Sequence, residues 1–218
     1  MKKASSMSAA RRSFLSTIGS GITMAGAAGA AFIPAAAAQS STNTDWQPKR
    51  HSQDDWFDRI PGQHRVVFDT TDSNGMTSAL MFSTNYYLAN QSGYGLQNGD
   101  LAVVIVARHF STAFAYSDAI WAKYGDPISQ FISYKENAKT NPQERQISAA
   151  VGRGVHFAVC QMATRALAQS IGRAVNASTD DIFNELAANL VPNSHLVAAG
   201  IVAVARAQER GYAFVHAV

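Results

Sequence analysis

The stretch Gly-Val-His-Phe-Ala-Val-Cys, residues 154–160, decides how the rest of this sequence is interpreted. It is short and almost entirely apolar, and it ends on the only cysteine in the chain. The residues that follow it, Gln-Met-Ala-Thr-Arg-Ala-Leu-Ala (161–168), favour a helix. The pattern therefore predicts a buried strand that ends at Cys160 and leads directly into a helix.

Cys160 at such a junction has two interpretations, which the sequence leaves open. A sulfur at a helix N-terminus lies beside unpaired backbone N–H groups and the positive end of the helix dipole, which stabilise the reactive thiolate. Free cysteine is also among the most frequently buried residue types, and Cys160 would then be inert core packing.

Residues 64–218 alternate between apolar runs and helical patterns. The clearest run is Leu-Ala-Val-Val-Ile-Val-Ala (101–107), which is continuously apolar, as a strand covered on both faces must be. Alternation of this kind is typical of βαβ units and predicts an α/β fold, with three α/β/α layers and a mainly parallel sheet of about five strands. The other strands are predicted at 65–71, 154–160, 195–198 and 212–216.

Two details are predicted for the middle of the chain. Ser111 is placed to cap a helix that runs through Trp121 and Tyr124. Residues 125–142, which carry a proline near each end and charged residues between them, are predicted to form an insertion or surface loop.

The first 38 residues are predicted to be an export signal. Arg11 and Arg12, followed by Ser-Phe-Leu, precede a moderately apolar stretch (18–33), and small residues come after it. The paired arginines resemble the twin-arginine translocation motif. That resemblance implies a protein that folds before export to the periplasm and leaves the membrane once the signal is cleaved. An uncleaved membrane anchor is the alternative.

Charge argues against a nucleic-acid partner. The chain has 18 basic and 15 acidic side chains, but residues 1–38 hold four of the bases and no acid, which leaves 14 bases against 15 acids. A nearly neutral remainder is not the basic surface that nucleic acids require.

Residues 39–63 are predicted to be a polar leader that ends in a docking arm. A short helix is predicted over 53–60, and Trp56, Phe57 and Ile60 would dock it onto an apolar patch of the domain or of a neighbouring subunit.

Three segments together resemble the DsrE/DsrF-like family, in the order found there. Residues 154–160 match its strand ending in cysteine. Residues 190–192 (Leu-Val-Pro), leading to 197–202 (Val-Ala-Ala-Gly-Ile-Val), match its Val-Pro-Ala-Gly-Val element, and 207–214 (Ala-Gln-Glu-Arg-Gly-Tyr-Ala-Phe) match its closing Gln-x-x-Gly-Tyr-Ala-Tyr strand. The resemblance spans 65–218.

This resemblance implies a three-layer α/β/α fold and a homo-oligomer, either a trimer or a hexamer. It also implies sulfur relay, because members act in sulfur oxidation and transfer-RNA thiolation and hold sulfur as a persulfide on the cysteine that Cys160 matches. The partners would be a sulfur donor and acceptor, each a small molecule or a protein. No cofactor is predicted.

His109 is the second candidate catalytic residue. In open α/β sheets ligands bind at the carboxyl ends of the strands, and His109 and Cys160 each lie at such an end. If their strands are neighbours, His109 could stabilise a thiolate or move a proton, and Arg108 or Arg165 could add positive charge. The alternative is a strand-end histidine bonded to backbone. His156, inside its strand, is predicted to pack against a helix or a subunit interface.

Two other functions stay open. One is a non-catalytic periplasmic binding or assembly module in which Cys160 is buried and inert. The other is a metal or small-ligand binder that uses Cys160 and His109. The sequence lacks the phosphate-binding loop, the nucleophile elbow and the paired-cysteine metal pattern that would indicate other enzyme classes.

Overall fold

The computed structural model describes residues 47–135 and 138–218. The predicted export signal (1–38) and the first part of the leader lie outside the described residues. Within the described part, no helix is both long enough and apolar enough to cross a membrane.

Strands and helices alternate along the described chain. The strands are β1 (His64–Thr70), β2 (Leu101–Ala107), β3 (His156–Cys160), β4 (Ser194–Val197) and β5 (Ala213–His216). The helices are α1 (Trp56–Arg59), α2 (Ser73–Tyr94), α3 (Asp118–Phe131), α4 (Glu144–Arg153), α5 (Gln161–Val175), α6 (Thr179–Ala188) and α7 (Gly200–Gln208). Short 3-10 helices span Ser52–Asp54, Asn98–Asp100 and His109–Ala115.

The five strands form one sheet in the order β4-β3-β2-β1-β5, and every neighbouring pair is parallel. This confirms the predicted α/β fold with three α/β/α layers. The central strand is β2, in which Ile105 pairs with Phe68 of β1 on one side and Phe157 of β3 on the other. Because all strands are parallel, their carboxyl ends meet at one edge of the sheet.

The alternating side chains of β2 enter two separate cores, and every residue of this strand is buried. Val103 and Ile105 belong to the larger core, which includes side chains of α2 to α6. Val104 and Val106 belong to the smaller core, formed with α7 and the segment before β1. Burial of both faces explains why residues 101–107 are continuously apolar.

The segment before β1 docks onto the smaller core through the three residues predicted from the sequence. Trp56, Phe57 and Ile60 are buried there. The hydroxyl of Tyr212 donates a hydrogen bond of 2.7 Å to the carbonyl oxygen of Phe57. A buried Arg210 forms an ion pair with Asp58 of α1. The docking partner is thus the same chain.

The predicted helix cap at Ser111 is wrong. Ser111 lies inside the 3-10 helix His109–Ala115, and α3 begins at Asp118 after an N-cap at Ser117. The Ser111 hydroxyl instead accepts a hydrogen bond of 3.0 Å from the backbone N–H of Arg108. The 3-10 helix directly after β2 was not visible as a separate element in the apolar pattern.

The predicted loop over 125–142 is also wrong in its first half, because residues up to Phe131 are helical. A kink at Tyr124 (φ −123°, ψ 17°) divides α3, and the helix resumes just after it. Pro127 therefore lies in the first turn of the resumed helix, where its missing N–H would have had no helical partner.

The amino end of the sheet carries two histidines in contact. His156 Nδ1 lies 3.1 Å from His195 Nε2, and Trp56 stacks on the His195 ring with centroids 3.9 Å apart. His156 thus contacts a histidine of the neighbouring strand β4 within the same chain. Burial lowers the pKa of His195 to about 4, and the charge of His156 adds to this shift. Burial also lowers the pKa of His156.

We expect this pair to make the protein less stable in mild acid. The folded state binds a proton on His195 less readily than the unfolded state. The resulting stability is therefore complete above an unfolded pKa of about 6.5 and is lost as pH falls towards the folded value of about 4. Urea unfolding between pH 7 and pH 4.5 should give a shallower loss for His195→Gln than for wild type. The exposed His64→Gln is the control and should keep the wild-type slope. Equal slopes for wild type and His195→Gln would contradict this expectation.

Candidate functional site

Cys160 is both the last residue of β3 and the N-cap of α5. Its sulfur accepts a hydrogen bond of 3.4 Å from the backbone N–H of Ala163, one of the donors in the first turn of α5. The side chain is buried, with 6% of the residue exposed. The predicted passage from strand to helix at this residue is confirmed, and it places the sulfur where backbone donors stabilise negative charge.

The start of α5 is held by a second set of hydrogen bonds. The Thr164 hydroxyl donates to the carbonyl oxygen of Cys160 at 2.9 Å, and the buried Tyr116 hydroxyl donates to Thr164 Oγ1 at 2.8 Å. Tyr116 follows the 3-10 helix after β2, so these bonds tie β2 to the strand that carries the cysteine.

The strand register brings the ends of β1, β2 and β3 together. Thr70 of β1 lies beside Ala107 of β2, which lies beside Val159 of β3. Arg108 follows β2 directly, and Cys160 follows Val159. Both residues therefore lie at the carboxyl edge of adjacent strands.

Arg108 is anchored by a buried carboxylate. Its Nε lies 2.6 Å from Asp69 Oδ1 and its Nη2 lies 2.8 Å from Asp69 Oδ2, a two-bond contact between planar groups. The Asp69 side chain is only 4% exposed, whereas that of Arg108 is 27% exposed. The hydrogen bond to Asp69 is the main cause that raises the pKa of Arg108, and a charge on Cys160 also contributes. The guanidinium therefore stays charged.

The stem of Arg108 crosses the first residue of α7. A Cβ on Gly200 would lie 2.4 Å from Arg108 Cβ and 2.9 Å from Arg108 Cδ. Real Cβ atoms do not approach other atoms so closely, so a glycine is required for α7 to begin against this side chain. Gly200 is the glycine of the 197–202 segment quoted from the sequence.

His216, on the edge strand β5, is a third residue that lies beside the Asp69 and Arg108 pair. It pairs with Asp69 in the register of β5 and β1, and its Nδ1 lies 3.5 Å from Asp69 Oδ2. Neither Asp69 nor His216 was singled out from the sequence. The available signal was their position, since each is a polar residue at the carboxyl end of a predicted strand.

His109, the second predicted site residue, lies at the same edge but points to solvent. Its backbone is left-handed (φ 56°), its side chain is exposed, and its ring packs on Phe110 with centroids 4.0 Å apart. The structure shows no hydrogen bond between the His109 imidazole and the Cys160 sulfur. Its catalytic role stays a prediction.

Arg165, the other cation considered from the sequence, has different partners. Its guanidinium lies 2.7 Å from Asp180 Oδ1 and covers the ring of Phe183 at 4.3 Å. Of the two arginines, Arg108 is the one that follows the strand next to Cys160 and is anchored by a buried carboxylate.

Metal coordination gains no support from this geometry. Across 47–135 and 138–218, no three histidine, cysteine, aspartate or glutamate side chains lie close enough together to hold a metal ion. Within the described part of the chain, Cys160 and His109 do not belong to any group of three such side chains.

These features define a class of protein: a three-layer α/β/α fold with one cysteine at the carboxyl edge of an all-parallel sheet, beside an arginine held by a buried carboxylate. No family model matches the sequence, and no curated protein matches it. Among solved structures, it is similar to a protein of unknown function from Methanobacterium thermoautotrophicum. That similarity has a TM-score of 0.41 at 17% sequence identity and covers 71% of this chain and 99% of that chain.

The close approach of Arg108 to α7 predicts the effect of a single methyl group. We expect Gly200→Ala to lower the free energy of unfolding by about 1–3 kcal/mol, because the added Cβ must displace the Arg108 stem or the start of α7. Urea denaturation measures the change.

Gly93→Ala is the matched control. Gly93 lies in α2, and a Cβ there would meet no atom within 4 Å. Because alanine favours helix over glycine by up to about 1 kcal/mol, this variant should be neutral or more stable. A Gly200→Ala protein as stable as Gly93→Ala would show that Arg108 moves without cost.

Proposed function

We propose that this protein carries sulfane sulfur as a persulfide on Cys160. The observation that carries the proposal is the position of the sulfur: it accepts a backbone N–H at the start of α5, at the edge of the sheet where Asp69 holds Arg108. Backbone donors at a helix N-terminus are a common setting for anionic sulfur, which is the nucleophilic form of a thiol and the stable form of a persulfide.

The cysteine count supports carriage over disulfide chemistry. Cys160 is the only cysteine of the chain, so a persulfide on it cannot be displaced by a second thiol of the same molecule. The sulfur would then leave only to an external acceptor. The terminal sulfur of the persulfide would extend about 2 Å beyond Sγ, the length of one sulfur–sulfur bond. This extension would make the cargo easier to reach than the buried thiol itself.

The remaining parts of the proposal come from the sequence. The chain would be exported by the twin-arginine pathway through residues 1–38 and would act in the periplasm as a homotrimer or homohexamer. Its partners would be a sulfur donor and a sulfur acceptor, each a small molecule or a protein. His109, exposed at the same edge, is the candidate that would exchange protons with solvent during transfer.

We expect the folded protein to gain mass in whole sulfur atoms when it is incubated with polysulfide or thiosulfate. The gain should be reversed by a reductant and should be absent in Cys160→Ser, because the chain has no other thiol. Intact-mass spectrometry of the mature protein measures it. Wild type that stays unmodified by both donors, under conditions where a small neutral thiol reagent does react, would overturn the proposal.

The second candidate function is a non-catalytic periplasmic binding or assembly module. The observation that favours it is burial, because 6% exposure suits a cysteine that only packs. On this alternative the thiol would not exchange sulfur with any external molecule.

Alkylation separates the two functions. If Cys160 carries sulfur, iodoacetamide should add a single label to the folded protein, and the single cysteine makes the mass unambiguous. Labelling that occurs only after denaturation would instead support the packing role. The Cys160→Ser protein, which should take no label in either state, controls for reaction at other side chains.

A further inference from the structure

The ion pair beside Cys160 suggests which kind of sulfur donor the site accepts. Resting on the proposed function, we infer that the donor belongs to the thiosulfate class, in which the sulfane sulfur is bonded to an anionic oxygen-bearing group, and that Arg108 recognises this group. Asp69 is then the positioning residue that holds Arg108 in place.

The guanidinium of Arg108 has hydrogen-bond donors that its contact with Asp69 does not use. A guanidinium carries five N–H bonds. The contact with Asp69 uses one on Nε and one on Nη2, and Nη1 forms no hydrogen bond to any residue in 47–135 or 138–218. Three N–H groups are therefore available to oxygen atoms of a ligand. An arginine fork of this kind matches the geometry of oxyanions.

The different burial of Asp69 and Arg108 indicates how a ligand can reach the guanidinium. Asp69 is almost fully buried, and Arg108 is about a quarter exposed. The bonded edge of the guanidinium thus faces a buried carboxylate, and part of the Arg108 side chain stays accessible to a ligand. The aliphatic part of the Arg108 side chain packs closely against Gly200 at the start of α7. Both ends of the side chain are fixed before any ligand arrives, so little side-chain entropy remains to be lost on binding.

The carboxylate also determines the type of recognition. Asp69 offsets the charge of Arg108 at long range, so the pair offers directed N–H donors at short range and not a broad positive field. Such a site distinguishes ligands by the placement of their oxygens. A polysulfide has no oxygens and would gain little from it. Arg165 offers no equivalent, because its carboxylate partner Asp180 is exposed and it lies over Phe183.

The transfer step is balanced without an added oxidant. The Cys160 thiolate attacks the outer sulfur of thiosulfate and forms a new sulfur–sulfur bond to Cys160. The bond between the two thiosulfate sulfurs breaks, and its electron pair leaves with sulfite. A thiolate and a thiosulfate dianion thus become a persulfide anion and a sulfite dianion, and the total charge is unchanged. Arg108 would donate to the oxygens that leave as sulfite.

The test compares two reagents on the full mature chain. Thiosulfate is the charged sulfur donor, and iodoacetamide, which releases iodide and has no oxyanion group, is a neutral thiol reagent that reports only the reactivity of Cys160. We expect Arg108→Gln to slow sulfur loading from thiosulfate by at least about tenfold, the value of one lost hydrogen bond to a charged group. Its reaction with the neutral reagent should change by less than about threefold, since no oxyanion needs to be held. Arg165→Gln is the matched control and should leave both rates unchanged.

Asp69→Asn tests the positioning role. In this variant Arg108 loses its anchor, so we expect a higher thiosulfate concentration to be needed for half of the maximal loading rate. The rate of reaction with the neutral reagent should be unchanged. Arg108→Lys, which keeps the charge but not the fork, should recover only part of the loading rate. Because these variants remove a partner of a buried group, the test also includes a measurement on the wild-type protein. Sulfate, an unreactive oxyanion, should slow loading from thiosulfate and should not slow the reaction with the neutral reagent.

The outcomes separate this inference from the proposed function. Equal thiosulfate loading by wild type and a folded Arg108→Gln overturns the inference alone, as does the absence of competition by sulfate. Loading of wild type from polysulfide but not from thiosulfate also overturns it, while sulfur carriage stands. Failure of both donors, with Cys160 still reactive to the neutral reagent, overturns the proposed function and this inference with it.

Discussion

The site depends on the burial of β2 between two parallel neighbours. Backbone hydrogen bonds to β1 and β3 set the register, and apolar side chains on both faces prevent a slip, because a shift of one residue would exchange the contents of the two cores. With the register set, the residues that follow the strands are brought to the same edge. Arg108 and Cys160 follow adjacent strands at that edge although 52 positions separate them in the sequence.

The buried carboxylate of Asp69 joins the elements around that edge. A carboxylate removed from water is costly unless it is paired, and here both oxygens contact Arg108 while His216 approaches one of them. The pair therefore connects β1 to the end of β2 and to β5, and Gly200 adds α7 through the Arg108 stem. The charged group beside the cysteine is thus held by β1 and β2 together with α7 and β5, the last two elements of the chain.

The two ends of the sheet use their polar residues differently. At the amino end, the neutral pair His156 and His195 lies under Trp56, and the segment before β1 covers it. At the carboxyl end, the backbone donors of α5 remain directed at a sulfur and the outer edge of Arg108 remains without a protein partner among the described residues. Only the carboxyl end combines a nucleophile with a fixed cation, which is why the proposed chemistry is placed there.

The sequence by itself determined the alternation of strands and helices, the complete burial of residues 101–107 and the place of Cys160 at the start of a helix. These are local properties, set by hydrophobic period and helix propensity within a few residues. Which cation accompanies the sulfur was decided only by the tertiary structure. His109 and Arg108 are adjacent in sequence, but the left-handed backbone at His109 exposes its ring, whereas Asp69, from another strand, turns Arg108 inward. That choice rests on a buried ion pair between distant residues, and no local pattern encodes such a contact.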